Sequence, residues 1–317
     1  MMVEKAKEKQ GMLLMAACAL LWSISGVLIK SNPWHWALIA GSRSLLAAGV
    51  MALFLRVRRI PFRINRVSIT SGIIMATMFL SFTLANKLTT AANAIVIQSC
   101  APVFILLYNV VVRKTGARAV DVTAVALTAL GILLFFLDQL TPGRLLGNAV
   151  ALFSGILLAA VYIITCGMDN ASCLSGVLIA HLITASVGLP FALGTDAQLS
   201  GAAIASIALL GIVQLGIPYI LYGLAVQHCP PLALSLIGLL EAVFNPLWVF
   251  WFSGESPSPT ALLGGALVLL SLAAWTVLGN RANRAESTLS SLSHNSNPME
   301  EGRGESHTES SRTGISL

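Results

Sequence analysis

The sequence predicts an all-α integral membrane protein of ten transmembrane helices, arranged as two inverted five-helix repeats. Three observations predict it. Charged residues make up 10% of the 317 and apolar ones 56%, with a mean hydropathy of +0.83, whereas an ordinary soluble domain is about 25% charged. Such a chain has too few charges to cover a surface in water, and a bilayer removes that difficulty. Apolar runs of about 20 residues, enough to cross roughly 30 Å of hydrocarbon at ~1.5 Å per residue, recur with short breaks. Finally, one register of 140 residues lays the second half of the chain on the first.

The ten runs, here segments 1 to 10, lie near 12–30, 34–55, 67–87, 90–112, 119–137, 145–167, 173–194, 202–226, 231–252 and 260–279. Between them stand turn formers: Asn32-Pro33, Thr141-Pro142-Gly143, Cys229-Pro230-Pro231 and the run from Ser253 to Pro259. Connectors this short make successive helices antiparallel neighbours. Only helices and closed barrels cross lipid with every backbone group bonded. Barrel strands alternate polar and apolar residues, and runs such as Ile207–Val213 do not. The first run follows Lys5, Lys7 and Lys9 in the manner of a signal peptide. The repeat pairs it with an internal segment, so it is expected to remain as a helix. Residues 281–317, rich in Ser, Glu, Asn, Gly and Arg, are expected to form a disordered tail. The expected division is a short N-terminal tail (1–10), a first repeat (11–140), a second repeat (141–280) and that tail.

The formal charge of +6 is a topology signal rather than a nucleic-acid footprint. Arg56, Arg58, Arg59, Arg63 and Arg66 flank one run, and Arg113, Lys114 and Arg118 follow another. With the N-terminus inside, these residues, the N-terminal lysines, Arg281 and Arg284 all fall on the inner side. Only Lys30, Lys87 and Arg144 fall outside. Both termini are therefore expected in the cytoplasm, with the plasma (inner) membrane as the expected location. Between Leu145 and Asn280 there is no Lys or Arg, so the first half and the tail set the orientation. The five cysteines form no close pair of metal-ligand spacing and read as small packing residues.

The register places Phe79–Ala85 on Tyr219–Ala225, Ala101–Phe104 on Glu241–Phe244, and Trp22 on Tyr162. Segment 1 then maps to 6, 3 to 8 and 4 to 9. Five is odd, so the second copy enters the membrane from the opposite side. Inverted repeats of this kind build many secondary transporters.

Here the chain resembles the EamA-type ten-helix branch of the drug/metabolite transporter superfamily. The carrying residues are Leu20–Lys30, the Ser42-Arg43 pair, Leu239–Pro259 with Glu241 and Glu255, and Gly264–Trp275. The resemblance covers about residues 11–280. It implies a secondary carrier, often an exporter, of a small metabolite such as an amino acid, working by alternating access. Drugs or nucleotide sugars are the alternative cargo, and a non-transporting scaffold or receptor is the runner-up. The halves differ in pattern: Ala101 stands where symmetry would place Glu241, and Lys114-Thr115 where it would place Gly254-Glu255.

Ionisable groups at membrane depth cost roughly 2.5–3.5 kcal/mol on insertion scales, so each needs a reason. Glu241, in the middle of segment 9, is either a proton-coupling or substrate-ammonium site, or a structural carboxylate bonded to a neighbouring helix. Arg43 in segment 2 either pairs with a carboxylate or helix-end carbonyls, or meets a substrate carboxylate. His181 in segment 7 reads as a packing histidine or as a group titrating near neutral pH, with no metal-ligand partner at ligand spacing. Phe79 with Phe82, and Tyr219 with Tyr222, share helix faces at a spacing of three and either line a cavity or pack. Trp22, Ser25, Asn93, Gln98 and Gln214 are further polar or amphipathic candidates, while Trp248 and Trp251 read as interfacial anchors. Pro102, Pro218 and Pro246 each remove a helical hydrogen bond. HExxH, GxSxG and paired acids are missing, so no enzyme, metal or cofactor is expected. The expected partners are lipid, a small solute and a coupling proton. Oligomeric state stays open.

Overall fold

The computed structural model describes residues 2–136, 145–194, 199–253, 259–260, 262–275 and 277–278. Of the described residues 85% are helical and none lies in a strand, which removes the barrel alternative. The connector Thr141–Gly143, Arg144, Glu255, the two repeat boundaries and the tail after 280 lie outside them. Contacts divide the chain into Met1–Ala273, treated below, and Ala274–Leu317, whose described residues are helical.

The helices are α1 (Met2–Trp22), α2 (Ser25–Ser31), α3 (Trp36–Val57), α4 (Arg66–Leu88), α5 (Ala91–Gln98), α6 (Ala101–Val111) and α7 (Ala119–Phe136) in the first half. The second half holds α8 (Leu145–Thr165), α9 (Asn170–Gly188), α10 (Gly201–Ala208), α11 (Ile217–Ala225), α12 (Pro231–Gly238) and α13 (Leu240–Ser253). A 3₁₀ turn, Leu189–Gly194, extends α9, and a π-helix, Leu209–Gly216, joins α10 to α11. Seven stretches are long and apolar enough to cross a membrane, and three shorter apolar helices, Ala119–Leu134, Pro231–Asn245 and Leu262–Trp275, fall on segments 5, 9 and 10. The lateral surface exposes Leu13, Leu53, Ile73, Leu107, Leu130 and Phe153. In water these would form an apolar patch, and in lipid they are solvated.

The helix starts follow from local chemistry. Asn65 and Ser68 form a reciprocal capping box at α4, Asp169 accepts from the Ser172 amide at α9, and Ser200 accepts from Ala203 at α10. Buried hydroxyls turn back on their own helix: Thr83 to Phe79, Thr128 to Ala124, Thr165 to Val161 and Thr184 to Ala180. Each donor is thereby satisfied without water.

Besides segment 7, which ends in the 3₁₀ turn, four apolar segments are not single α-helices among the described residues. Segment 1 breaks at Ser23-Ile24, segment 4 at Ser99-Cys100, segment 8 carries the π-helix, and segment 9 breaks at Leu239. Pro102 and Pro218 sit in the first turns of α6 and α11, where a missing N–H matters least. An offset of 140 residues carries α5 onto α12, so the breaks in segments 4 and 9 coincide in register.

Segment 3 packs on segments 6 and 7, and segment 8 packs on segments 1 and 2. Segment 4 lies on 6, segment 9 lies on 1, and segments 2 and 7 lie on each other. At that last crossing Gly41 and Gly188 bring backbones together: a Cβ on Gly41 would stand 2.6 Å from the Leu189 nitrogen. Small residues at such crossings are how helices associate in lipid, where the hydrophobic effect offers nothing between them.

The connections alternate between the two ends of the bundle. At one end Arg63 meets Asp169 at 3.1 Å, and Cys166 donates to the Cys229 carbonyl at 3.2 Å. Lys7 and Glu8 line a surface cavity there with Cys166, Gln227 and Cys229. At the other end Asn32 bonds Ala203 and Ser206, and Thr89 bonds Asn148. Two lysines brace that end reciprocally. Lys30 of α2 donates to the Asn86 and Thr89 carbonyls at the end of α4, and Lys87 of α4 donates to the Asn32 carbonyl that ends α2. Cations on the open carbonyls of helix C-termini are favoured by both hydrogen bonding and the helix dipole.

Candidate functional site: a central chamber with an arginine and a glutamate

Segments 1, 2, 3, 4, 6, 8 and 9 line a partly open central cavity with about 40 Å³ of internal space. Eight of the twelve candidate residues singled out from the sequence line it: Trp22, Arg43, Phe79, Phe82, Gln98, Gln214, Tyr219 and Glu241. They come from segments that are distant in sequence, which is what a binding chamber between helices requires.

Arg43 is 1% exposed, and its partners are neutral. Its guanidinium donates to Thr83 Oγ1 at 2.7 Å, and more weakly to the Phe79 carbonyl and Gln214 Oε1, each at 3.4 Å. Among the described residues no carboxylate stands within ion-pair distance of it, so the expected pairing with a carboxylate is not what holds it. The Phe79 carbonyl that Arg43 shares with Thr83 lies within a helix rather than at its end.

Glu241 is half-buried in the first turn of α13, two residues after the break at Leu239. The positive end of a helix dipole favours a carboxylate there. Ser25 of α2 faces it and is fully buried. Cys18 of α1, Tyr162 of α8 and Tyr219 of α11 surround it. Gln98 donates to Ser154 of α8 at 2.9 Å. Gln98 and Gln214 each lie four residues before a proline, Pro102 and Pro218. Gln98 ends α5, and Pro102 has no N–H to give its carbonyl.

The aromatic residues form a connected wall. Tyr219 packs against Trp22 at 5.2 Å and edge-on against Phe79 at 4.9 Å. Tyr222 and His181 do not line the chamber but stand behind it. His181 stacks on Phe79 at 4.9 Å with 11° between planes, and both its ring nitrogens are buried without a hydrogen-bond partner. Tyr222 lies 5.9 Å from Tyr219, and its hydroxyl is shared with Thr165. No group of three His, Cys, Asp or Glu among the described residues is placed to hold a metal.

Two sequence readings need correction. Trp248 is no interfacial anchor: its indole donates to Ser23 Oγ at 2.7 Å, and Asn245 donates to the Ser23 carbonyl at 2.7 Å. The break in segment 1 frees polar groups, and α13 satisfies them. Asn93 serves the far end of the bundle with Thr89 and Asn148, away from the chamber. The side chain of Trp251 lies outside the described residues. Met78, Leu158 and Leu215 line the chamber and were not singled out from the sequence, because an apolar residue in an apolar helix carries no signal. Thr83, which holds Arg43, was not singled out either; it lies one turn after Phe79 on the same face.

At the end that carries Lys7, burial pushes the Cys229 thiol up to about 12. Asp169, exposed there, is held below the usual carboxylate range by the Ser172 hydroxyl and amide, with Arg63 adding to the effect.

No curated protein matches the chain. A protein solved by crystallography shares the fold at a TM-score of 0.73 and 17% identity, over 86% of this chain and 98% of that one. Residues 9–137 match the model of the EamA-like transporter family, in agreement with the resemblance to the drug/metabolite transporter superfamily. With the apolar helices described above, that match makes the chain an integral, multi-pass membrane protein carrying an EamA-like transporter segment.

Proposed function

We propose that the chain is a secondary active carrier, an exporter of a small metabolite such as an amino acid, with the central chamber as its solute site and Glu241 as its proton-coupling group. The observation that carries this reading is Arg43 in the chamber wall, buried on neutral acceptors, with Glu241 lining the same chamber. A buried cation that no carboxylate neutralises is poised for an anionic group. A solute carboxylate on Arg43 and its ammonium toward Glu241 and the Trp22 and Tyr219 rings would fill both roles.

Alternating access rests on ten spans in two inverted repeats. A twofold axis that exchanges segments 1 and 6, 2 and 7, 3 and 8, and 4 and 9 must turn every interface into another interface. The packing supports this: 3 on 6 answers 8 on 1, 3 on 7 answers 8 on 2, 4 on 6 answers 9 on 1, and 2 on 7 answers itself. The shared register of the breaks at Ser99-Cys100 and Leu239 supports it too. The five arginines from Arg56 to Arg66, at the end that holds Lys7, support a cytoplasmic N-terminus in the plasma membrane.

A thermal-shift screen of the purified protein against amino acids, sugars, nucleotides and cationic drugs tests the cargo. An amino acid should raise the melting temperature of the wild type and leave Arg43→Gln unmoved. A Tyr219→Cys variant should be protected from thiol reagents by the same compound. A shift that persists in Arg43→Gln, without protection of the Tyr219→Cys thiol, would place the solute elsewhere.

A further inference from the structure

A second, smaller cavity, with about 20 Å³ of internal space, lies beside the first between segments 4, 6 and 9. It forms where the two broken helices face each other: Ser99 and Pro102 from segment 4, Ser235 and Leu239 from segment 9, and Tyr162 from segment 6. Gln98, Leu158 and Glu241 line both cavities. Glu241 is the one carboxylate in that shared wall.

We infer that protons reach Glu241 through this second chamber while the solute occupies the first. The inference rests on the carrier reading above and adds a route to it. Irregular backbone at membrane depth is tolerated where it is buried in protein or lines a water-filled space. Here two breaks lie against one cavity, in which Gln98, Ser99, Ser235, Tyr162 and Glu241 stand among apolar residues. Pro102 deprives the Gln98 carbonyl of its helical donor, and Ser99, Ser235 and Tyr162 add hydroxyls along the wall. The hydroxyls of Ser99 and Ser235 donate back to the Ile95 and Leu232 carbonyls, which leaves their oxygens free to accept from water. Hydronium entering there gives its proton to a Glu241 carboxylate oxygen and leaves as water. Arrival of a solute ammonium from the central side favours the carboxylate, and the proton returns to water by the same path. The groups facing Glu241 are Cys18, Tyr162 and Tyr219, with Ser25 beside them and Arg43 on the wall of the central chamber. The separation keeps the two cargoes from competing for one entrance, which a single chamber would not do.

Gly238 offers a place to fill the second chamber selectively. It lines only the second chamber, and a Cβ there would lie 2.8 Å from the Tyr162 hydroxyl. The test uses the full-length protein in lipid, with infrared difference spectra after a pH jump; Glu241→Gln identifies the carboxyl band of Glu241. Gly238→Val should slow the growth of that band at least tenfold. Should Gly238→Val fail to fold, Ser235→Cys can be plugged after folding with a small methanethiosulfonate. The plugged protein should slow equally against unreacted Ser235→Cys and reagent-treated wild type. Unchanged rates on plugging, or a Ser235→Cys thiol that aqueous reagent never reaches, would overturn the second route. No pH-dependent band from Glu241 in the wild type would instead remove its coupling role, which is a separate failure.

Discussion

Arg43 and Glu241 line one chamber without pairing with each other among the described contacts. Burying a charge without a carboxylate costs stability, and replacing buried ions is often neutral or stabilising. Arg43→Gln should therefore keep the melting temperature within a few degrees of wild type or raise it. Solute affinity should fall at least tenfold, about 1.4 kcal/mol, in isothermal titration. A large loss of stability with affinity intact would make Arg43 a structural residue. Both charges were visible in the sequence because ionisable groups in apolar runs stand out. Their surroundings were not. Thr83 bonds its own helix at Phe79, as most buried threonines do, and nothing in the sequence says that Arg43 also reaches it. Trp248 misled for a related reason: an indole near a span end suits the interface, and only the break at Ser23 shows what it serves.

Helix boundaries were largely legible, because length and capping chemistry fix them. The breaks were legible only as prolines. Pro102 lies just beyond a break and Pro218 just beyond the π-helix, whereas α13 runs through Pro246 and segment 9 breaks earlier, at Leu239. At this scale two contacts give direct tests. Gly188→Ala at the crossing of α3 and α9 would push a methyl into the Ala37 carbonyl and the Gly41 backbone. Overpacking of this kind costs about 1–3 kcal/mol, readable as a lowered melting temperature, whereas Gly49→Ala, with open space around it, should be silent. Asp169 gives a pH test. Its carboxyl is held low in the folded protein by Ser172 first and Arg63 second. The stability it adds is present above the unfolded value of about 3.9 and lost as pH falls through the lower folded value. Asp169→Asn, a cap that does not titrate, should flatten the acid limb of the melting-temperature profile; an unchanged limb would assign acid sensitivity elsewhere.

For the whole molecule, alternating exchange between two similar halves is the proposed basis of transport, and the halves are not equivalent. The register puts Ala101 opposite Glu241, so the proposed coupling group belongs to one half, while broken helices occur in both. The lysine braces Lys30 and Lys87 close only the end opposite Lys7. Lys87→Met should raise the labelling of introduced cysteines at that end without changing labelling at the other. The order of apolar runs made the all-helical, multi-pass character readable in advance. Which faces meet around the chamber depends on side-chain packing between segments far apart in the chain, and composition does not encode it. The central claim is that Glu241 couples protons to solute movement through the chamber. Its most direct measurement is amino-acid flux in proteoliposomes under an imposed pH gradient, compared with solute exchange at equal pH. Wild type should show gradient-driven flux, and Glu241→Gln should lose it while still exchanging solute. Gradient-driven flux that survives in Glu241→Gln would contradict the account.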